Sequence, residues 1–344
     1  MPADSKRTVV EQPQPEEGHA RRGQPAVDDW FRERTYRGAD YSAEHLVGAK
    51  AGRRVSLVLP ARNEQATVGV MVTAIRAALV ERVPLIDELV VIDSDSTDDT
   101  AAVARAAGAE VHAQAAVLPE LGAVPGKGEA LWKSLAVTTG DIVGFVDSDL
   151  HDFDPQLVVG LLGPILTEDL AFVKGCYERP LSVVGGVVPG GGGRVTELVA
   201  RPLINLYWPD LAGFVQPLAG EYAGRRDVLE SVPFVGGYGV EIGLLIDVLE
   251  RCGLDAMGQV DLAVRKHRNT PDAALAKMAM QIQRAVHERL VRQGRIVVRE
   301  EPGVSFVQYA RDDAGGFLPL RSDLAHHERP PMCDVRAGGG PIRP

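Results

Sequence analysis

Cysteine is scarce in this chain. Three residues, Cys176, Cys252 and Cys333, in a length of 344 are too few and too scattered for a disulfide framework or a thiolate zinc site. That scarcity fits a reducing compartment, and the cytoplasm is the expected location. Residues 1–27 are polar and charged and hold no apolar stretch of the kind a secretory leader needs. No run reaches the roughly 18 uncharged apolar residues of a membrane helix, so no membrane association is expected. A basic excess is missing too: 37 Lys and Arg stand against 47 Asp and Glu, a formal net charge of −10. A chain this acidic is poorly suited to non-specific nucleic-acid binding, and an anionic ligand must find a local basic cluster. No internal repeat is visible.

Hydrophobic residues make up 45% and charged residues 24%, an ordinary globular balance on a chain long enough for a large core. Short apolar runs at 55–59, 88–92, 110–113 and 141–146 read as strands. Helical spacing at 64–81, 100–107 and 127–137 separates them. Repeated βα units of this kind predict a mostly parallel sheet covered by helices on both faces. Beyond Pro155 the pattern loosens: a strand near 171–177, a glycine-rich stretch at 185–193, and a helix from about Arg194. A helix from Gly239 to Glu250, a strand at 259–265 and a long helix at 271–293 follow. The expected organisation is a disordered tail over 1–27, a nucleotide-binding half over 28–154, and a second-substrate half of the same domain over 155–300. A largely flexible extension completes it over 301–344.

Asp147-Ser148-Asp149 directly follows the apolar strand at 142–146. Ligands in open α/β sheets bind beyond the carboxyl ends of the strands. Carboxylates at i and i+2 of an extended segment point the same way, and Mg²⁺ takes one or two carboxylates together with phosphate oxygens. A solvated acidic turn is the alternative. Pro60-Ala61-Arg62-Asn63-Glu64 ends the first strand and can contact a base and ribose, and Asn63 is also expected to cap the following helix, with Glu64 in its first turn. The acidic, hydroxyl-rich loop from Asp93 to Asp98 ends the second strand and carries Ser94. Gly126-Lys127-Gly128 is not a Walker A loop: the spacing from Gly122 is one residue short and Gly128 stands where Ser or Thr would hold magnesium. Lys127 at a helix start can still meet phosphate or base, or be a surface lysine. Arg265-Lys266-His267-Arg268-Asn269 is a basic cluster in an acidic chain, readable as an anion site or a charged edge strand. Gly193, Arg194 and Thr196, at the end of a glycine run, can wrap an anion or form a flexible loop. Glu241 after Gly236-Gly237-Tyr238-Gly239 is a candidate for a sugar hydroxyl.

Together these segments resemble the GT-A glycosyltransferases. The stretches Pro125–Trp132, Gly191–Thr196, Gln216–Tyr222 and Arg265–Asn269 resemble more narrowly the glucosyl-3-phosphoglycerate synthases, with the mannosyl-3-phosphoglycerate synthases close behind. The likeness spans about 29–295. It implies a GT-A, Rossmann-like nucleotide-sugar-binding domain with an acceptor-binding C-terminal part. It implies transfer of glucose from UDP-glucose to the 2-hydroxyl of D-3-phosphoglycerate with retention of configuration, Mg²⁺ or another divalent cation such as Mn²⁺ as cofactor, and a homodimer. By the same likeness Pro60, Ala61, Arg62, Asn63, Glu64, Ser94, Lys127, Asp147 and Ser148 bind the nucleotide, and Asp149 and His267 hold the metal. Leu218 (by its backbone), Tyr238, Glu241 and Arg265 surround the reaction centre, and Gly193, Arg194, Thr196 and Asn269 hold the acceptor. The competing readings are a GDP-mannose-dependent enzyme, a polyprenyl-phosphate glycosyltransferase and a non-catalytic nucleotide-sugar binder.

Overall fold

A computed structural model describes residues 24–178, 181–183, 186–188, 193–264, 272–313, 315–325 and 327–338. The strands in chain order are β1 Thr35–Arg37, β2 Val55–Ala61, β3 Glu88–Asp93, β4 Glu110–Ala113, β5 Ile142–Phe145, β6 Phe172–Glu178, β7 Leu181–Val183, β8 Gly186–Val188, β9 Tyr222–Arg225, β10 Phe234–Val235, β11 Met257–Val264, β12 Ser305–Arg311, β13 Phe317–Asp323 and β14 Glu328–Arg329. The principal helices are α1 Gln24–Arg34, α2 Ala43–Ala49, α3 Val68–Ile75, α4 Thr100–Ala106, α5 Lys127–Val137, α6 Gln156–Thr167, α7 Arg201–Tyr207, α8 Arg226–Glu230, α9 Val240–Cys252, α10 Asp272–Arg292 and α11 Met332–Arg336.

Eight strands form one sheet in the order β1-β11-β6-β9-β5-β2-β3-β4. All run parallel except β9, which lies antiparallel between β5 and β6. Alternation along each strand sends side chains to opposite faces. Val58, Val90, Ile92, Val143 and Phe145 enter the core built on α5 and α9. Leu57, Leu59, Leu89, Val91 and Ile142 enter the core built on α3 and α6. The βα units of the first half therefore form as their periodicity dictates. The strand ends at Ala61, Asp93 and Phe145 fall along one edge of the sheet.

The second half joins this sheet through β9. Phe145, Tyr222 and Phe172 stack across β5, β9 and β6, with ring centroids 5.1 and 5.5 Å apart. Such offset aromatic pairs add to what burial alone contributes. The four-residue strand β9 is too short to register as a periodic run. Helix α6 was also hidden in the sequence: it is buried along most of its length and so has no polar stripe, while Gly160, Gly163 and Pro164 read as breakers.

Both chain ends differ from expectation. Helix α1 begins at Gln24, so the predicted tail over 1–27 overlaps it. Val27 is buried, and the buried Trp30 donates through Nε1 to the carbonyls of Leu254 and Met257 at 3.1 Å each. The extension beyond 301 is no loose tail where it is described. β12 and β13 form a hairpin, β14 pairs antiparallel with β10, and Met332 is buried in the core. No helix among the described residues is long and apolar enough to cross a membrane.

Candidate active site

The loops that end β2, β3 and β5 are bound to one another. The Ser94 amide donates to the Ala61 carbonyl at 2.8 Å, and the Ser94 hydroxyl donates to Gln114 Oε1 at 2.8 Å. The buried Ser148 hydroxyl donates to the Pro60 carbonyl at 2.7 Å, and the Thr67 hydroxyl donates to the Ser148 carbonyl at 2.6 Å. Asn63 is not the expected helix cap. It takes a left-handed backbone with φ 58°, which Asn tolerates better than most residues. Its amide donates to Ser96 Oγ at 2.9 Å, while its Oδ1 accepts from the Thr97 amide at 2.8 Å. The Glu64 amide is likewise satisfied by the neighbouring loop, through Thr100 Oγ1 at 2.8 Å. The helix starts only at Val68, because these side-chain bonds capture the chain first. Arg62 and Asn63 are exposed, Pro60 and Glu64 half-buried. Asp93 Oδ1 is buried with no hydrogen-bond partner among the described residues, an acceptor at the strand edge that a ligand donor would satisfy.

The two halves meet at Lys127. Its Nζ lies 2.5 Å from Asp147 Oδ1, beyond β5, and 3.0 Å from Glu241 Oε1, in the first turn of α9. Burial works to lower the Lys127 pKa, but the Asp147 and Glu241 carboxylates outweigh it and hold the ammonium well above its ordinary value. The glycines flanking Lys127 serve packing. A side chain at Gly128 would lie 1.8 Å from the Val235 carbonyl, and one at Gly126 would lie 2.7 Å from Gly237. The Lys127 loop thereby sits directly against the turn that carries Tyr238. Burial first, then the charge of Glu241, raises the Tyr238 pKa, with Asp147 and Asp149 adding to the effect. Tyr238 is half-exposed and its amide donates to Gln281 Oε1 at 3.1 Å.

Residues 216–221 close the other side. Leu218 is partly buried against the core. A Cβ on Gly220 would fall 2.2 Å from Asp147 Oδ2 and 2.5 Å from Lys127 Nζ, so a side chain there would push those two charged groups aside. The buried Tyr222, whose hydroxyl has no hydrogen-bond partner among the described residues, lies just beyond; burial raises its pKa well above the ordinary value.

Gly193, with φ +80°, accepts the Glu197 amide at 3.0 Å. Arg194 is half-buried and Thr196 buried at the head of a wide-turned segment, Thr196–Ala200, that runs into α7. Helix α10 packs against both that segment and the Gly237–Gly239 turn. It thereby brings the Arg194 side of the site onto the same scaffold as Tyr238. Arg265, His267 and Asn269 lie outside the described residues. Asp149 is half-buried on the Ser148-anchored loop. Among the described residues no group of three or more His, Cys, Asp or Glu converges on one point. A single carboxylate suits a hard cation that takes most of its ligands from phosphate and water.

Several residues at this site escaped the sequence reading. Lys174, on β6, donates to the Ala219 carbonyl at 2.8 Å; a lysine in the middle of an apolar strand was the available signal. Arg329 forms a buried bidentate pair with Glu129 of α5, Nε–Oε2 2.7 Å and Nη2–Oε1 2.8 Å. It also donates to the carbonyls of Leu121 and Gly122. No local pattern marks a residue 200 positions away as part of the Lys127 loop.

A parallel sheet with one reversed strand, acidic strand-end loops and an Asp-x-Asp beyond the central strand define a GT-A glycosyltransferase. The glycosyl transferase family 2 description matches residues 56–189. Glucosyl-3-phosphoglycerate synthase of Mycolicibacterium smegmatis is 50% identical over 308 residues, covering 89% of this chain and 98% of that protein. By these matches the chain belongs to the glucosyl-3-phosphoglycerate synthase family. Among solved structures, mannosyl-3-phosphoglycerate synthase from Rubrobacter xylanophilus superimposes with a TM-score of 0.82 at 42% identity, covering 90% of this chain and 98% of that one. Glucosyl-3-phosphoglycerate synthase from Mycobacterium tuberculosis, in complex with Mn²⁺, UDP and phosphoglyceric acid, gives 0.75 at 45% identity, covering 86% and 96%. Further structures of that M. tuberculosis enzyme hold UDP-glucose with Mn²⁺, or UDP with Mg²⁺.

Proposed function

We propose that this chain transfers glucose from UDP-glucose to the 2-hydroxyl of D-3-phosphoglycerate, retaining the anomeric configuration, with Mg²⁺ or Mn²⁺ as cofactor. The observation that carries the reading is the junction at Lys127, where Asp147 from the nucleotide half and Glu241 from the acceptor half share one ammonium. A sugar bridging a nucleotide and an acceptor needs its surroundings fixed from both sides. The substrates and metals named for the related proteins support it.

In this reading Pro60, Ala61, Arg62, Asn63, Glu64 and Ser94 line the nucleoside, joined by the unsatisfied Asp93. Asp147 and Ser148 orient the nucleotide, and Asp149 and His267 hold the cation. When bound, the cation stabilises negative charge on the departing diphosphate. Lys127 stays protonated and keeps Glu241 aimed at the sugar. Glu241, Tyr238, Arg265 and the Leu218 carbonyl surround the anomeric carbon. The acceptor's hydroxyl approaches from the face the leaving group vacates. Gly193, Arg194, Thr196 and Asn269 hold the acceptor's phosphate and carboxylate, Arg194 through a charge-assisted fork. A homodimer in the cytoplasm belongs to the same proposal. The hairpin of β12 and β13 leaves Tyr309, Phe317, Leu318 and Leu320 exposed, and an isolated hairpin is marginal in water.

The test is UDP release from UDP-glucose and Mg²⁺, with and without D-3-phosphoglycerate, on wild type and Asp149→Ala. Acceptor-dependent release abolished in the variant is the expected result. No acceptor dependence in a folded wild type overturns the reading. Likeness to the Rubrobacter mannosyl enzyme makes GDP-mannose the second donor to assay, and a strong preference for it reverses the donor assignment.

A further inference from the structure

Beside the proposed reaction centre lies a fully buried ammonium. Lys174 is 1% exposed on β6, opposite Tyr222 of β9 in the sheet register. Its Nζ donates to the Ala219 carbonyl at 2.8 Å and stands 4.7 Å from the centroid of the Tyr222 ring. The Gly175 amide, next along the strand, donates to the Glu221 carbonyl at 2.8 Å. The segment 219–221 is thus tied to β6 at two points, and Asp147 and Lys127 lie close beside Gly220.

We infer that Lys174 is a positioning residue for the transfer: by holding the Ala219 carbonyl it fixes the height of the Leu218 backbone relative to the Lys127–Asp147–Glu241 junction. The inference rests on the proposed glucosyl transfer and adds a residue that never touches substrate. Lys174 is sealed behind the 219–221 backbone and the Tyr222 ring, so its part is to set where the Leu218 carbonyl stands. Charged groups face it from every packed element: Glu241 from α9, Lys127 from α5, Asp147 beyond β5 and Glu221 ahead of β9. Burial, the largest influence, brings its pKa down to about 8 despite the neighbouring carboxylates. The ammonium therefore gives way to the amine at mildly alkaline pH, and the charge-assisted bond to Ala219 weakens with it.

The experiment compares wild type, Lys174→Met and Lys174→Arg in steady-state transfer from UDP-glucose to D-3-phosphoglycerate. UDP affinity with Mg²⁺ is read by calorimetry, and kcat is followed across pH. A hydrogen bond from an ionised donor is worth about ten- to hundredfold. Lys174→Met should lower kcat at least about tenfold, leave UDP affinity and the donor KM near wild type, and have part of its loss restored in Lys174→Arg. Wild-type kcat should decline as pH rises through about 8, and Lys174→Arg, whose guanidinium does not titrate there, should lack that decline. A folded Lys174→Met with wild-type kcat overturns the inference. So does a loss of UDP affinity parallel to kcat, which would make the residue a support of the whole cleft. If Lys174→Met does not fold, the pH profiles decide: identical alkaline limbs in wild type and Lys174→Arg overturn it. An inactive wild type overturns the transfer reading itself, which separates the two failures.

Discussion

The two sides of the cleft are held in different ways. On the nucleotide side, neighbouring loops bond directly: Ser94 to Ala61, Ser148 to Pro60, Thr67 to Ser148, Asn63 to Thr97. On the acceptor side, the Arg194 segment and the Tyr238 turn are brought together by packing on α10. The first arrangement spreads the load over many short polar contacts within the proposed nucleotide cradle. The second depends on a few elements, each of which moves as a unit. Lys127 is where the two systems are joined.

The largest effect should come from Asp149, the carboxylate proposed to hold the cation. Asp149→Ala is expected to cut kcat about a thousandfold or more, since Lewis-acid stabilisation is worth several kcal/mol. The acceptor-dependent UDP-release assay reads it, and an unperturbed thermal melt checks the fold. Next is the support of the Lys127 loop. Glu129→Ala strands Arg329 and Lys133, the latter 3.4 Å from Glu129, in the interior. Leaving a buried charge without its partner costs about 3–5 kcal/mol, so the urea midpoint should fall sharply.

A sharper test of the two-sided picture is Arg194→Ala. It should raise the KM for D-3-phosphoglycerate about ten- to hundredfold, the worth of a hydrogen bond to a charged group, with the donor KM unchanged. A donor KM that rises equally breaks the division. Asn63→Ala, on the redundant side, should cost only about 1 kcal/mol of stability, because neighbouring contacts persist. The smallest effect on activity belongs to Glu88, at the far end of β3. Burial works to raise its pKa, but donors from Ser56, Thr139 and Gly140 outweigh that and bring it down to about 2. A carboxylate lowered on folding contributes stability at neutral pH that is lost as pH falls from its ordinary 4.5 toward about 2. Glu88→Gln should flatten that part of the acid-unfolding curve and leave kcat alone.

Legibility in the sequence followed the same division. β2, β3, β4 and α5 could be read because apolar periodicity and strand-end polar loops are local signals, and the Asp-x-Asp announced itself by its position after a buried strand. Lys127 was seen as a cation at a helix start, but not as the bridge between Asp147 and Glu241, since those partners are 20 and 114 positions away. Asn63 has the residue type and position of a cap but bonds Thr97 instead, because a side chain's choice between its own helix and a neighbouring loop depends on which loop lies beside it. Helix α6 is hard to read because an element buried along most of its length carries little contrast between its faces, and strand β9 because four residues are too few to show a period. Lys174 and Arg329 are ordinary residues until the fold surrounds them.

The Arg329 contact also sets an order in time. Chains emerge from the ribosome N-terminus first, and domains fold as they emerge. The strands that end at Ala61, Asp93 and Phe145 are made early, yet Arg329, which holds Glu129 and the carbonyls of Leu121 and Gly122, is synthesised 200 positions after Glu129. Until Arg329 arrives, the loop bearing Lys127 lacks that anchor. A nascent chain that has not yet reached Arg329 can hold the early strands and their end loops while the Lys127 loop still lacks this support.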